Sequence, residues 1–348
     1  MAAGLIVFTV FGGVGFITIL FSLVKILNLI CIYLRPSRLS RYAHLSRAGE
    51  APWALVTGAS DGIGLAFAYE LAGSGFNVVL HGRNHEKISR VMSRLQATFP
   101  QRSYRILVAD AGYVACLTHL KASTQEHRNG QEKASSAPLN FTAIQRELGD
   151  INLTVLINNA GGGPVNPAFL SVLESPEDTI TESISLNGLF PLYLTRALLP
   201  NLIRHAPSLV INTNTMIDQG FPLVASYSAS KEFIMAITRA LRLEMQMVGL
   251  GEDVEILGIK FGRVTGAHGC KEPVSLFVPN ATMMVKAALA RAGYGNRIVI
   301  GYWGHALQQL GARLFIALPR WVEDKIFITI MCQQRKNIDG SLKDVKST

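Results

Sequence analysis

Residues 57–64 read Thr57-Gly58-Ala59-Ser60-Asp61-Gly62-Ile63-Gly64, directly after the apolar run of residues 53–56, WALV, and directly before LAFAYELAG at 65–73, which repeats at helical spacing. A strand, a glycine-rich turn and a helix in that order is the context of phosphate binding. Gly58 permits a tight turn, Gly62 lets the backbone approach a pyrophosphate, and Gly64 allows close packing of helix on strand. The helix amino terminus then faces the negative charge. Glycine clusters also form plain turns, and the chain holds 31 glycines, so the reading needs support from elsewhere in the sequence.

That support begins with the pattern on either side of the turn. Short apolar runs alternate with amphipathic stretches: WALVT (53–57), NVVL (77–80), YRILVA (104–109), LTVLIN (153–158), LVINT (209–213), VEILGI (254–259) and RIVIG (297–301). Seven strands separated by helices predict an α/β fold, a Rossmann doubly wound parallel sheet with helices on both faces. Residues 121–138, KASTQEHRNGQEKASSAP, are polar and lack apolar periodicity, and read as a surface insertion.

Cofactor choice should be written at the end of the second strand, Leu80-His81-Gly82-Arg83-Asn84. A carboxylate there would suit the ribose hydroxyls of NAD. None is present, and Arg83 can pair with a 2′-phosphate, so NADP(H) is the expected cofactor. A solvated loop arginine is the alternative for Arg83. Tyr227-Ser228-Ala229-Ser230-Lys231 opens a long helical pattern. Positions four apart share a helix face, so the ammonium stands beside the phenol and favours phenolate. An acid/base catalyst for a carbonyl requires that shift, because the reference tyrosine pKa is about 10.

The ends of the chain differ in character from this core. Met1 to Val24 carries no charged side chain, and ILNLICIYL continues to Leu34 after Lys25. About 20 residues cross a hydrocarbon layer, so residues 1–34 are expected to form a transmembrane anchor. A buried core helix and a cleaved signal peptide are the alternatives; the latter would need a basic amino-terminal region and a small-residue cleavage site. Lys25, Arg35, Arg38, Arg41 and Arg47 against Glu50 leave residues 1–50 at +4 of the total +9. The basic flank predicts a single-pass protein with its body in the cytosol. No basic patch with interleaved aromatics appears elsewhere, so no nucleic-acid partner is expected.

The expected partition is therefore an anchor at 1–34, a basic linker at 35–52, a catalytic domain at 53–301, amphipathic helices at 302–336 and a polar tail at 337–348. The carboxyl-terminal helices follow from Leu307, Leu310, Leu314 and Leu318, and from Trp321, Ile326, Phe327 and Ile330. They could cap the core, lie on the membrane or cover the substrate entrance. Four scattered cysteines, Cys31, Cys116, Cys270 and Cys332, imply neither a disulfide framework nor a metal site. The sequons at Asn140, Asn152 and Asn280 stay unmodified if the body is cytosolic.

In sequence order, TGASDGIG (57–64), Asp110, NNAG (158–161), Asn187 and YSASK (227–231) resemble the short-chain dehydrogenase/reductase family. The resemblance implies that Ser60, Asp61, Ile63 and Gly161 border the cofactor, and that Asp110 and Asn159 flank its adenosine side. It further implies that Tyr227 is the proton donor, and that Lys231 holds the nicotinamide ribose while lowering the Tyr227 pKa. Asn187 would organise a proton relay, and Val264 and Thr265 would contact the carboxamide. The anchor, together with Gly301 to Ala306 and Leu318 to Trp321, resembles a microsomal branch. That branch contains very-long-chain 3-ketoacyl-CoA reductases and 17β-hydroxysteroid dehydrogenases. Family members commonly dimerise through the helix bearing the tyrosine, and a homodimer is the implied partner state.

Two departures qualify the resemblance. Asn214 stands 13 positions before Tyr227, where the family usually has serine. Its amide can donate a hydrogen bond but cannot relay a proton, and a small register shift would bring Thr213 or Thr215 there instead. The segment Phe261-Gly262-Arg263-Val264-Thr265-Gly266 lacks the proline of PGxVxT, and its threonine comes one position early. The expected function is NADP(H)-dependent interconversion of a hydroxyl and a ketone at the endoplasmic reticulum membrane. The lipophilic substrate would be a long-chain 3-oxoacyl-CoA, or a sterol or terpenoid. The alternative is a catalytically impaired cofactor-binding scaffold or regulatory subunit.

Overall fold

Runs of Val, Ile and Leu bounded by turn residues form the strands β1 (Pro52–Val56), β2 (Asn77–Gly82), β3 (Tyr104–Val108), β4 (Asn152–Asn158), β5 (Ser208–Thr215), β6 (Val254–Phe261) and β7 (Ile298–Ile300). They are seen in a computed structural model that describes residues 2–114, 139–163, 169–217, 220–267, 270–315 and 319–346. Every pairing is parallel, and the order is β3-β2-β1-β4-β5-β6-β7. All residues of β1, β2 and β4 are buried. Strands covered on both faces read as continuous apolar runs, which is why no alternation marked them in the sequence.

The helices are α1 (Ala2–Leu34), α2 (Gly62–Gly73), α3 (His85–Thr98), α4 (Phe141–Glu147), α5 (Glu177–Ile184), α6 (Phe190–Arg204), α7 (Ala225–Met247), α8 (Ala281–Leu289), α9 (Trp303–Phe315) and α10 (Arg320–Lys346). Alternate strand residues supply two cores. Ala54, Val56, Leu209 and Ile211 pack with Phe67 and Leu71 of α2, Ile88 of α3 and Met284 of α8. Leu55, Val210 and Ile256 pack with Ile144 of α4, Leu194 of α6 and Met245 of α7. Each such leucine or phenylalanine, fully buried, contributes about 1.5–3 kcal/mol. From β1 the chain runs one way to β2 and β3, and from β4 the other way. The crevice this leaves at the carboxyl ends of β1 and β4 is where ligands bind in such sheets.

The stretch read as a basic linker is packed onto the body. A 3₁₀ turn at Leu39–Tyr42 buries both of its end residues, and the Tyr42 hydroxyl donates to the Glu255 carboxylate. Arg41 donates to the Glu252 carbonyl at 2.7 Å, and the Tyr294 hydroxyl to that of Pro36 at 2.6 Å. Leu39 and Tyr42 are buried while Leu45 of the same charged segment stays exposed, so these two anchor its placement. The polar tail at 337–348 continues α10 as a helix to Lys346. Its Lys, Asp and Leu residues are compatible with a helix already running from Arg320. The 121–138 insertion lies outside the described residues.

The backbone of α1 is helical over 33 residues. Among the described residues, no helix is long and apolar enough to cross a membrane. The side chains of residues 1–11, the start of the uncharged stretch, lie outside that description. Of the three sequons, Asn152 is fully buried, its amide donating to the His44 and Glu50 carbonyls, both at 3.0 Å. Asn140 and Asn280 are the N-caps of α4 and α8.

Candidate active site

The turn that decided the fold adopts the conformation its glycines allow. Gly58 and Gly62 have φ of +66° and +53°, a region that side chains disfavour. A Cβ on Gly64 would meet Asn159 Nδ2 at 2.6 Å and the Gly58 carbonyl oxygen closer still. Asn159 fills that space because its amide donates to the Thr57 carbonyl at 3.1 Å. The Thr57 hydroxyl donates to the Ile157 carbonyl at 3.1 Å and accepts the N–H groups of Asn159 at 2.8 Å and Ala160 at 2.9 Å. This threonine, which opens the 57–64 motif but was given no role of its own, fastens the ends of β1 and β4 together.

Asp61 is the N-cap of α2: one carboxylate oxygen accepts from Gly62 N–H at 2.8 Å, and the other meets Lys87 Nζ at 2.8 Å. Lys87 and then the Gly62 bond hold its carboxyl below the usual range. Asp61 thus shapes the turn, while a phosphate there would rely on backbone N–H groups. A cavity of about 410 Å³ over the ends of β1, β2 and β3 is lined by Gly58, Ser60, Arg83, Asp110 and Gly161, among others. Asp110 braces its own loop through Gly112 N–H at 3.0 Å. Arg83 has no ion-pair partner among the described residues. A second space, about 350 Å³, follows the turn past Gly58, Gly62, Ile63 and Asn159.

The third space, about 400 Å³, is lined by Ile63, Asn214, Tyr227, Lys231 and Val264, with others. Tyr227 and Lys231 lie four apart near the start of α7. Lys231 is buried, its ammonium donates to the Thr213 carbonyl at 3.3 Å, and burial lowers its pKa to about 8. Asn187 sits in a π-helical turn, Ser185–Leu189, a distortion frequent at functional sites. Its oxygen accepts from Gly162 N–H at 3.0 Å, and its amide donates to the carbonyls of Gly162 at 3.1 Å and Ser183 at 2.9 Å. A Cβ on Gly161 would lie 2.7 Å from Asn187 Oδ1 and 3.0 Å from Lys231 Nζ, and one on Gly163 3.7 Å from the Tyr227 ring. The glycines after NNA are thus the floor on which the three side chains converge.

Thr213, Asn214 and Thr215 all border this third space, and strand parity separates their directions. Residues two apart share a face. Val210 packs in the α6/α7 core, and Asn212 donates to the Thr238 hydroxyl of α7 at 2.8 Å, so Asn214 faces the helix bearing Tyr227. Thr213 donates to the Asn158 carbonyl at 3.1 Å, and the Thr215 hydroxyl accepts from Ile217 N–H at 3.3 Å. Sequence reasoning also missed the buried ladder behind this wall. Asn158 donates to Thr195 at 2.9 Å and to Asn212 at 2.7 Å, tying α6, β4, β5 and α7 together. Its only sequence signal is polar residues in positions where a core strand should be apolar.

Thr265 is a correction. Its hydroxyl donates to the Glu272 carbonyl and its N–H to that of Pro279, both at 2.9 Å, and it borders none of the three spaces. Coming one position early, it faces its own loop, whereas Val264, Gly266 and Ala267 reach the cavities. That loop is pinned by His305 of α9, which accepts from Gly262 N–H at 3.1 Å and lies 3.1 Å from the Arg263 carbonyl.

His305 and His81 are buried. His81 accepts from Gly58 N–H at 3.3 Å and stacks on Phe190 at 5.0 Å. Burial pushes His81 down to about 4, against the opposing pull of the Ala109 backbone and Asp110, and also lowers His305. In the unfolded chain both would take up protons near 6.5. The stabilising contribution of His81 is therefore complete above about pH 6.5 and lost as pH falls towards 4, by roughly 3 kcal/mol, and that of His305 is lost in the same direction. The urea midpoint should fall across this window with proton uptake on unfolding; a flat midpoint would mean that the rings are not held neutral.

The profile of the family described as short chain dehydrogenase matches residues 52–129 and 132–268. A very-long-chain 3-oxoacyl-CoA reductase-like protein of Arabidopsis thaliana is 28% identical over 79% of this chain and 78% of its own length. A very-long-chain 3-oxoacyl-CoA reductase of Eremothecium gossypii is 30% identical over 75% of this chain and 69% of its own. Among solved structures, a short-chain dehydrogenase from Sphingobium yanoikuyae in complex with NADPH superposes with a TM-score of 0.55 at 22% identity. It covers 76% of this chain and 95% of the other. A bulky-bulky ketone specific alcohol dehydrogenase from Comamonas testosteroni gives 0.55 at 21%, over 77% and 95%. At these identities the structures speak for the fold.

Proposed function

Because the chain belongs to the short chain dehydrogenase family, we propose that it is a membrane-anchored, NADP(H)-dependent oxidoreductase that interconverts a ketone and a secondary alcohol on a lipophilic substrate. The observation that carries this reading is the convergence of Tyr227, Lys231 and Asn187 on the glycines at 161–163. This cluster lies next to a turn shaped for a pyrophosphate. The cofactor fits on two counts: an open space of about 350 Å³ follows the backbone of the turn past Gly58, Gly62 and Ile63, and Arg83 borders the adjoining cavity with no ion-pair partner among the described residues.

When bound, the nicotinamide supplies or accepts the hydride. The chain handles the proton. In reduction the Tyr227 phenol donates it to the carbonyl oxygen, and in oxidation the phenolate takes it from the hydroxyl. A Lys231 pKa of about 8 leaves the ammonium charged at neutral pH, so phenolate is favoured one helical turn away. Asn187 holds the 161–163 floor at fixed depth beneath both. Asn214, facing α7, donates a hydrogen bond to the substrate oxygen as charge develops there, and takes no part in proton relay.

Arg83 supports NADP(H) because no carboxylate occupies positions 82–84. Arg83→Ala should raise the dissociation constant of NADPH about 10- to 100-fold and leave that of NADH within about twofold, as the loss of a charge-assisted pair implies. Equal weakening of both would remove Arg83 from the account.

The uncharged run Met1–Val24, helical in backbone from Ala2, and the basic residues after it support an anchor in the endoplasmic reticulum membrane with the body in the cytosol. Burial of Asn152 and the capping roles of Asn140 and Asn280 suit a chain without N-glycans. The names of the relatives favour a long-chain 3-oxoacyl-CoA as substrate. Asn214 in place of a hydroxyl favours, as a second reading, a specialised enzyme acting on a sterol or terpenoid ketone. Membranes carrying the protein, given NADPH and a panel of both ketone classes, should consume NADPH with one of them. Tight NADPH binding with no consumption on any would turn the reading to a scaffold.

A further inference from the structure

The helix α10 packs against the body through one stripe, Phe327, Met331 and Gln334, at i, i+4 and i+7. Phe327 lies 4.5 Å from Phe221 between ring centroids, and Met331 is buried. Gln334 is the next position on that stripe, where an apolar residue would continue the seal. It instead presents a half-buried carboxamide to the cavity that holds Tyr227, Asn214 and Lys231. Among the described residues this carboxamide has no hydrogen-bond partner. The next residue fixes the helix at this depth: Arg335 forks onto Glu174 at 3.1 and 2.9 Å. Glu174 is in turn held by the N–H and hydroxyl of Ser171 at 2.9 and 2.8 Å. That clasp belongs to the loop that begins at Phe169, itself a wall of the same cavity.

We propose that Gln334 is a specificity-determining residue, hydrogen-bonding a second oxygen of the substrate beyond the carbonyl that reacts at Tyr227. A carboxamide both donates and accepts, so it suits an ester, thioester or hydroxyl oxygen equally. A site built to bond such an oxygen rejects the analogue lacking it, because the half-buried amide is then left without that partner. The Arg335–Glu174 pair positions Gln334 and does not touch substrate. The inference rests on the oxidoreductase reading of the cavity and names the substrate feature that reading leaves open.

Binding without turnover tests it. Full-length Tyr227→Phe protein in detergent, loaded with NADP⁺, is titrated by calorimetry with a long-chain β-oxo methyl ester and with the methyl ketone of equal chain length. The ester should bind about tenfold more tightly. Adding Gln334→Leu, or separately Gln334→Met, should abolish that preference and leave methyl ketone affinity within about twofold, which also reports that the cavity is intact. A preference that survives both variants, equal weakening of both ligands, or no preference at the outset overturns the proposal. Failure of the oxidoreductase reading looks different: the unmutated protein would bind the ester with the same preference and never oxidise NADPH with it.

Discussion

Tyr227→Phe should lower turnover by about 10²–10⁴-fold, the range a positioned general acid contributes, while NADPH affinity stays within about twofold. The ring borders the 161–163 glycine floor, with Gly163 placed so that a Cβ would lie 3.7 Å from Tyr227 Cγ. Removing only the hydroxyl keeps that packing and takes away the proton. Lys231 cannot substitute, because it is buried and its ammonium is directed at the Thr213 carbonyl. Steady-state kinetics with a cofactor titration on the same preparation separates the two effects. Unimpaired turnover in this variant would remove Tyr227 from the mechanism, and joint loss of turnover and cofactor binding would mean that the ring is structural.

Gly64→Ala should be the most damaging single methyl in the chain for cofactor binding, with NADPH affinity reduced about 100-fold or more. The added carbon would press on Asn159 Nδ2 at 2.6 Å and on the Gly58 carbonyl. Neither can retreat, since Asn159 is tied to Thr57 twice and Gly58 is fixed by its turn and its bond to His81. Overpacking of this kind costs about 1–3 kcal/mol or more, and here it also opens the phosphate turn. Gly73→Ala, at the other end of α2, is the control: its Cβ would make ordinary contact with Phe99 at 3.4 Å, and binding should be unchanged. Fluorescence titration of NADPH on both variants, with thermal unfolding alongside, measures the contrast.

The seven strands were legible because each is a short apolar run punctuated by turn residues, and the phosphate turn because its three glycines stand between the first of those strands and a helical pattern. Helical periodicity put Tyr227 and Lys231 on one face, a weak signal by itself in a chain with nine tyrosines, and their roles came from the resemblance to the short-chain dehydrogenase/reductase family. What pattern could not supply was side-chain direction at strand ends and in loops. The direction of Asn214 became clear only once Asn212 was seen donating to Thr238, and Thr213 and Thr215 border the same cavity. Thr265 looked like a cofactor contact until its hydroxyl was found on the Glu272 carbonyl. Thr57, His81 and His305 act through bonds to backbone groups distant in sequence, which leave no local signature. Gln334 left no signature for another reason: the stripe read from the sequence was Trp321, Ile326, Phe327 and Ile330, and the cavity that Gln334 borders is formed by segments distant in sequence.

The central claim is that this cavity carries out a ketone reduction dependent on NADPH, and isotope transfer tests it most directly. The purified full-length protein in detergent is given NADPH carrying deuterium on the transferable face of its nicotinamide ring, together with a long-chain β-oxo thioester. Mass spectrometry of the alcohol produced should show one deuterium on the carbinol carbon, with none formed by the Tyr227→Phe protein. Alcohol free of label, or bound NADPH that never yields alcohol with this thioester or any ketone of the panel, would contradict the account.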